Sequence, residues 1–173
     1  MKIINKIIAL TLIMLATAAH AQSSITAGFS RGNPSAKQVA LQAINDAQES
    51  IYLAAYQFTE PDIIRALIAA KKRGVTVAVV LDKTQGNGDG EAAMVASGIE
   101  CRVDKRFKIM HHKFIVVDGK HVENGSFNYT VNADKSNAEN ALYIKDVPTV
   151  AAQYKAQWDW VFDPAPLCKG GRE

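Results

Sequence analysis

Apolar positions along the chain fall into two alternating rhythms. Short runs rich in apolar and β-branched residues occur at 25–29, 51–58, 75–81, 99–103, 108–117 and 141–144 and predict strands. Between them lie stretches with helical spacing. Val39, Ala40, Ala43, Ile44 and Ala47 predict a helix over 35–50. Thr59 is placed to cap a second helix with Pro61 in its first turn, running to Arg73 and stopping at Gly74. A short helix is expected at 91–97, ending at Gly98, and a closing helix at 148–162 with Trp158 near its end. Asp118-Gly119 is a hairpin signal that returns the chain as a strand at 121–123. Residues 31–34 read as a turn, and the glycine-rich stretch 85–90 reads as a loop without the Gly-Lys-Ser/Thr ending of a phosphate loop. Strands alternating with helices imply an α/β fold, a mixed, largely parallel β-sheet flanked by helices on both faces. There is no internal repeat and no linker.

The first 21 residues break this pattern. Lys2 and Lys6 precede an apolar run from residue 7 to 19, followed by Ala19-His20-Ala21. That is the layout of a secretory signal peptide cleaved after Ala21. The apolar run is about 13 residues, whereas a spanning helix needs roughly 20. The expected organisation is a leader at 1–21 and one domain at 22–173, located in the periplasm or secreted, without stable membrane insertion after cleavage.

Composition alters the picture little, and charge alters it more. The 173 residues are 48% hydrophobic and 21% charged, which suits one globular domain and excludes a disordered chain. The net charge of +3 comes from 20 basic and 17 acidic residues, and removing Lys2 and Lys6 leaves 18 against 17. A nearly neutral mature chain holds a polyanion only through local patches. Lys71-Lys72-Arg73 suits the end of a helix, where cations complement the dipole. Lys105, Arg106 and Lys108 run directly into a pair of histidines and are the better candidates for a phosphate backbone. Cys101 and Cys168 are compatible with a disulfide in an oxidising compartment or with two separate thiols. Two cysteines do not make a cysteine-rich zinc site.

The chemistry concentrates between His111 and Asn128. On a strand, His111 and Lys113 share a face while His112 points the other way. An imidazole beside an ammonium suits a phosphate ester: the ring can attack phosphorus or carry a proton, and the lysine neutralises a non-bridging oxygen. The hairpin brings Gly125, Ser126 and Asn128 back beside the first strand. Ser126 and Asn128 add donors there, and Gly125 allows close backbone approach. His112 and His121 are expected to be structural or exposed. Adjacent histidines facing opposite ways do not form a metal site.

These residues carry a resemblance. The spacing His111-x-Lys113, four residues, Asp118, six residues, Gly125-Ser126-x-Asn128 matches the phospholipase D superfamily signature at every specified position. Residues 25–162 resemble the small, single-motif bacterial endonucleases of that superfamily, the Nuc type. The resemblance implies a metal-independent phosphodiesterase with no cofactor. Two histidines act in such a site, one forming a phosphohistidine and the other protonating the leaving oxygen and then activating water. It assigns His111 as nucleophile or acid/base, Lys113 and Asn128 as phosphate ligands, and Ser126 as their support. Asp118 completes the candidate catalytic set at a position where a structural role is expected. Glu139 joins that set as an acid that orients the histidine. Of four histidines, His20 leaves with the leader and only His111 lies in the motif, so the resemblance implies a homodimer with the site at its two-fold axis. The expected substrate is nucleic acid, DNA or RNA. A phospholipid headgroup is the alternative, because the motif is shared. A nucleic-acid-binding protein with a relict site is a third reading, opposed by the intact residue set.

Overall fold

A computed structural model describes residues 22–85 and 88–170; the expected leader lies outside them. The elements in chain order are β1 (Ser24–Phe29), α1 (Ala36–Asp46), β2 (Ser50–Ala55), α2 (Pro61–Lys72), β3 (Thr76–Asp82), a 3-10 turn (Lys83–Gln85), α3 (Asp89–Ala96), β4 (Glu100–Asp104), β5 (Lys113–Val117), β6 (His121–Gly125), α4 (Val131–Lys135), β7 (Asn140–Lys145) and α5 (Pro148–Phe162). The seven strands form one sheet in the order β1-β7-β6-β5-β2-β3-β4.

The mixed α/β architecture is as expected, but the balance of pairings is not. The ladders β2–β3 and β3–β4 are parallel. The ladders β1–β7, β7–β6, β6–β5 and β5–β2 are antiparallel. The reason is local. Helices α1, α2 and α3 separate the first four strands and only the short α4 separates two later ones, whereas the Asp118-Gly119 turn joins β5 to β6 directly. Both turn residues have positive φ (51° and 63°), and the Lys120 amide donates to the Val117 carbonyl across the turn. That geometry forces an antiparallel hairpin.

The sheet separates two apolar layers. Ile115 and Val117 pack with Val39, Ile44, Leu53 and Leu67 beneath α1 and α2, while Phe114 and Val116 pack with Val122, Trp158 and Phe162 beneath α5. The alternation along β5 is the two-residue period of a strand buried on both faces. The Trp158 indole donates to the Leu53 carbonyl at 3.0 Å, so its polar edge is satisfied inside the second layer.

Three local expectations are corrected. The N-cap of α2 is Glu60, not Thr59; its carboxylate accepts from the Asp62 amide, and Pro61 follows in the first turn. The strand expected from residue 108 begins at Lys113. Residues 105–112 are held by side chains instead of a ladder: the Met110 amide donates to Asp82 Oδ2 at 2.6 Å, the Phe107 amide to Asp104 Oδ2 at 3.3 Å, and Lys83 Nζ to the Phe107 carbonyl at 2.8 Å. Short helix α4, capped by Thr130, has no clear apolar period and was not anticipated.

Cys101 and Cys168 form a disulfide with Cα atoms 5.3 Å apart. It fastens the segment after α5 along edge strand β4, where the Val103 amide donates to the Pro166 carbonyl and the Cys168 amide to the Cys101 carbonyl, each at 2.9 Å. An otherwise open sheet edge is thereby covered.

Candidate functional site

Strand register assembles the candidate residues at one rim of the sheet. Ala55 pairs with Lys113, so Tyr56 follows beside His112, whose carbonyl accepts the Tyr56 amide at 2.9 Å. Phe114 pairs with Asn124, which sets Lys113 beside Gly125 at the open end of the hairpin. Gly125 pairs with Ala141 and Asn140 with Phe29, which brings Glu139 and Ser30 to the same rim. Residues distant in sequence meet because the ends of neighbouring strands coincide.

Two clusters form there. In the first, the Lys113 side chain is buried, and its Nζ donates to the His111 carbonyl at 2.8 Å and lies 3.2 Å from His111 Nδ1. The Tyr56 ring lies 4.6 Å from the exposed His111 ring and 5.2 Å from Lys113 Nζ. Burial lowers the Lys113 pKa, and the Glu139 carboxylate pulls it back up in part. With Nδ1 facing the ammonium, Nε2 is the ring nitrogen available to a ligand. In the second cluster, Ser126 Oγ donates to Glu139 Oε2 at 2.5 Å and accepts from the Asn140 amide at 3.0 Å. Asn137 Nδ2 donates to Glu139 Oε1 at 2.9 Å. The direct hydrogen-bond partners of Glu139 are therefore Ser126, Asn137 and Ser30, whose Oγ accepts the Glu139 amide, and not His111. Glu139 reaches the first cluster through its charge on Lys113.

Asn128 presents a buried side-chain oxygen position with no hydrogen-bond partner among the described residues. An orphaned buried polar atom costs roughly 1–3 kcal/mol. A side-chain amide can turn either end outward, and its NH₂ end would donate to a phosphate oxygen. Beneath this loop, fully buried Tyr129 donates its hydroxyl to Glu123 Oε2 at 2.7 Å, and its carbonyl accepts the amides of Thr59 and Glu60, each at 2.8 Å. Tyr129 thus ties the Asn128 loop to the start of α2. Burial raises the Glu123 carboxyl to about 8, although the Tyr129 hydroxyl opposes that rise. A β carbon on Gly125 would sit 2.1 Å from the Asn140 carbonyl oxygen. The glycine therefore serves contact with β7 rather than room for a ligand.

Asp118 does not join these residues. It lies five residues from Lys113 at the opposite end of β5, about 17 Å away at strand rise. Its Oδ1 accepts amides from Glu49 at 2.8 Å and Ser50 at 2.9 Å, and its Oδ2 accepts that of Gln48 at 3.0 Å. Burial alone would raise its pKa, but these amides and the Lys120 charge outweigh burial and lower it. Asp118 is a scaffold residue that fixes the start of β2 and, against the expectation of a catalytic position, lies away from the rim residues. His112 faces α5, with Nε2 3.3 Å from Gln157 Nε2 and its ring 5.5 Å from Phe114. Buried His121 accepts the Asp146 amide at 2.8 Å.

Sequence reasoning missed Tyr56, Asn137 and the Glu123–Tyr129 pair. Tyr56 sat in an expected strand, but only the β2–β5 pairing shows that it abuts His111. Glu123 sat in an expected strand too, without a sign that its face was buried.

A histidine and a buried lysine at the crevice rim of an α/β sheet, with serine and an unsatisfied amide opposite, define a class of site suited to phosphate esters. Comparison with known proteins agrees. The family model described as cardiolipin synthase, PLD-like domain, matches residues 40–161. The chain is 39% identical over 120 residues to a phospholipase D of Rickettsia prowazekii, covering 68% of this chain and 58% of that protein. It is 37% identical over 124 residues to the mitochondrial cardiolipin hydrolase of Xenopus laevis, covering 69% and 59%. Among solved structures it superposes on Nuc of Salmonella typhimurium, a phospholipase D family member, with a TM-score of 0.81 and 39% identity, over 84% of this chain and 98% of that one. The chain belongs to the phospholipase D-like family. It spans less than two thirds of the Rickettsia prowazekii and Xenopus relatives.

Proposed function

We propose that the chain is an exported phosphodiesterase that hydrolyses nucleic acid through a phosphohistidine, without a metal, as a homodimer. The observation that carries this reading is the exposed His111 ring held against the buried Lys113 ammonium at the sheet rim. His111 Nε2 would attack phosphorus as the bond to the leaving oxygen breaks. Lys113 would neutralise the non-bridging oxygens, and the Asn128 amide would donate to them. The proton for the leaving oxygen would come from His111 of the second copy, which then deprotonates the water that releases the enzyme. His112 and His121 are engaged on the scaffold, which supports drawing the second histidine from another chain. The Cys101–Cys168 disulfide supports an oxidising destination.

Local charge supports nucleic acid over lipid. Exposed Lys105 and Lys108 lie on the segment that leads into His111, where they complement a phosphate backbone. The names of the Rickettsia prowazekii phospholipase D and of the Xenopus cardiolipin hydrolase favour the second reading, a phospholipid phosphodiester. The test offers residues 22–173 plasmid DNA, RNA, phosphatidylcholine and cardiolipin, each with and without EDTA. Cleavage of DNA or RNA that survives EDTA is expected. Headgroup release with intact nucleic acid would establish the second reading, and EDTA-sensitive cleavage would overturn the mechanism. Sedimentation of the active species should give a dimer; an active monomer overturns the shared site.

A further inference from the structure

Beside the candidate site lies an aromatic surface that the proposed chemistry does not use. Trp160 and Phe107 are 55% and 36% exposed, and their ring centroids lie 5.5 Å apart at an angle of 59°. The Arg106 guanidinium sits 4.6 Å from the Trp160 ring and 5.8 Å from the Phe107 ring. It is not available as a mobile phosphate clamp. Its Nε donates to the fully buried carboxylate of Asp104 at 2.9 Å, and Nη2 donates to the Trp160 carbonyl at 2.7 Å. The two aromatic rings are thus mounted on a fixed cation.

The supporting loop is fixed as well. Residues 105–112 lack a ladder but are pinned through Met110 to Asp82 and through Phe107 to Asp104 and Lys83. An exposed pair of aromatic rings, Phe107 on this pinned loop and Trp160 on α5, costs little further entropy when a flat ligand covers it. Position ties the pair to the chemistry. Phe107, Ile109 and His111 line one depression of about 300 Å³. Phe107 is four residues from His111, at most about 14 Å along an extended chain. Exposed Lys105 and Lys108 flank Phe107 and complement a phosphate backbone.

We infer that Phe107 and Trp160 form a stacking subsite for an unpaired base of a nucleic-acid strand whose neighbouring phosphate lies at His111. The inference rests on the nucleic-acid reading above and adds to it a preference for single strands. In a duplex the base faces are stacked on one another and are not offered to a protein ring; in a single strand every base has a free π-face, so stacking tolerates any sequence.

The test uses residues 22–173 with Phe107→Ala, Trp160→Ala and the ring-retaining Trp160→Phe. Each is assayed on an oligothymidylate and on bis(p-nitrophenyl) phosphate, which carries a phosphodiester but no base. The alanine variants should lose roughly 5- to 100-fold in affinity for the oligonucleotide, the range expected for one stacked base. Turnover of the small phosphodiester should be unchanged, and Trp160→Phe should recover most of the loss. Trp158 is buried, so oligothymidylate quenching of tryptophan fluorescence on a His111→Ala background should report Trp160 and vanish in Trp160→Ala. Equal loss on both substrates, or sedimentation of the alanine variants at half the mass, would overturn the subsite in favour of a structural or intersubunit role. Quenching by phosphatidylglycerol vesicles but not by oligothymidylate would overturn it in favour of a lipid surface. If the native chain cleaves neither substrate, the phosphodiesterase reading fails, while the fluorescence titration still decides the subsite.

Discussion

At one end of β5, Lys113 and His111 lie at a rim that holds the exposed His111 ring and an Asn128 side-chain oxygen without a hydrogen-bond partner among the described residues. At the other end, Asp118 closes a two-residue turn and accepts amides from Gln48, Glu49 and Ser50. Both ends belong to one spaced signature and lie on the same buried strand. They differ in what remains unsatisfied. A carboxylate whose lone pairs are filled by backbone amides stabilises the fold and has little left for a substrate. A lysine buried beside a histidine, with its pKa lowered by desolvation, lies in a setting where an arriving phosphate gains most from a nearby donor. Membership of a motif therefore does not assign a role; the state of each polar group does.

Substitutions at the two ends should separate cleanly. His111→Ala should reduce turnover of a small phosphodiester by about 10³-fold or more, since a nucleophile or proton carrier is lost. Its melting temperature should stay close to that of the parent because the ring is exposed. Substitution of the adjacent His112 should leave most activity. Comparable losses at both histidines would break the comparison, because they face opposite layers.

Lys113→Ala should lower kcat by about 10²-fold, the usual effect of removing one group that stabilises developing charge. If only KM rose, Lys113 would bind ground state and transition state alike. Asp118→Ala should behave in the reverse sense. Activity per folded molecule should remain within a few fold. Stability should fall by about 2 kcal/mol with the loss of charge-assisted bonds. For a domain this size that is a melting temperature lower by about 6 °C. The Asp118 pKa is depressed in the fold, so its contribution is present above the ordinary carboxylate range and is lost as pH falls through the folded value. The gap between parent and variant should therefore close in acid; an unchanged gap would mean that packing and not charge holds the turn.

The last effect, on stability and not on turnover, is expected beneath the site. Glu123 has its pKa raised to about 8 by burial, so the fold holds its proton where the unfolded chain releases it. Its contribution is full below the ordinary carboxylate range and is lost as pH rises towards 8. Glu123→Gln, which still accepts the Tyr129 hydroxyl, should remove this decline. Thermal melts between pH 5 and 8 should show the variant gaining on the parent as pH rises. A parallel decline in both would place the titration elsewhere.

Sequence alone determined much of this protein. Apolar periodicity located most elements, α5 at its observed bounds, because core burial imposes its period directly on residue order. Local spacing singled out His111, Lys113, Ser126 and Asn128, and the Asp118-Gly119 pair marked its turn because positive φ restricts residue choice. Tertiary structure decided what depends on partners distant in the chain. The antiparallel majority of the sheet, the pinning of residues 105–112 by Asp82 and Asp104, the placing of Tyr56 on His111 and the engagement of Glu139 by Ser126 all arise from strand register. Asp118 shows the division most plainly. Its position in the signature is written in the chain, but its function follows from three amides about 70 residues away, which only folding brings within hydrogen-bond reach.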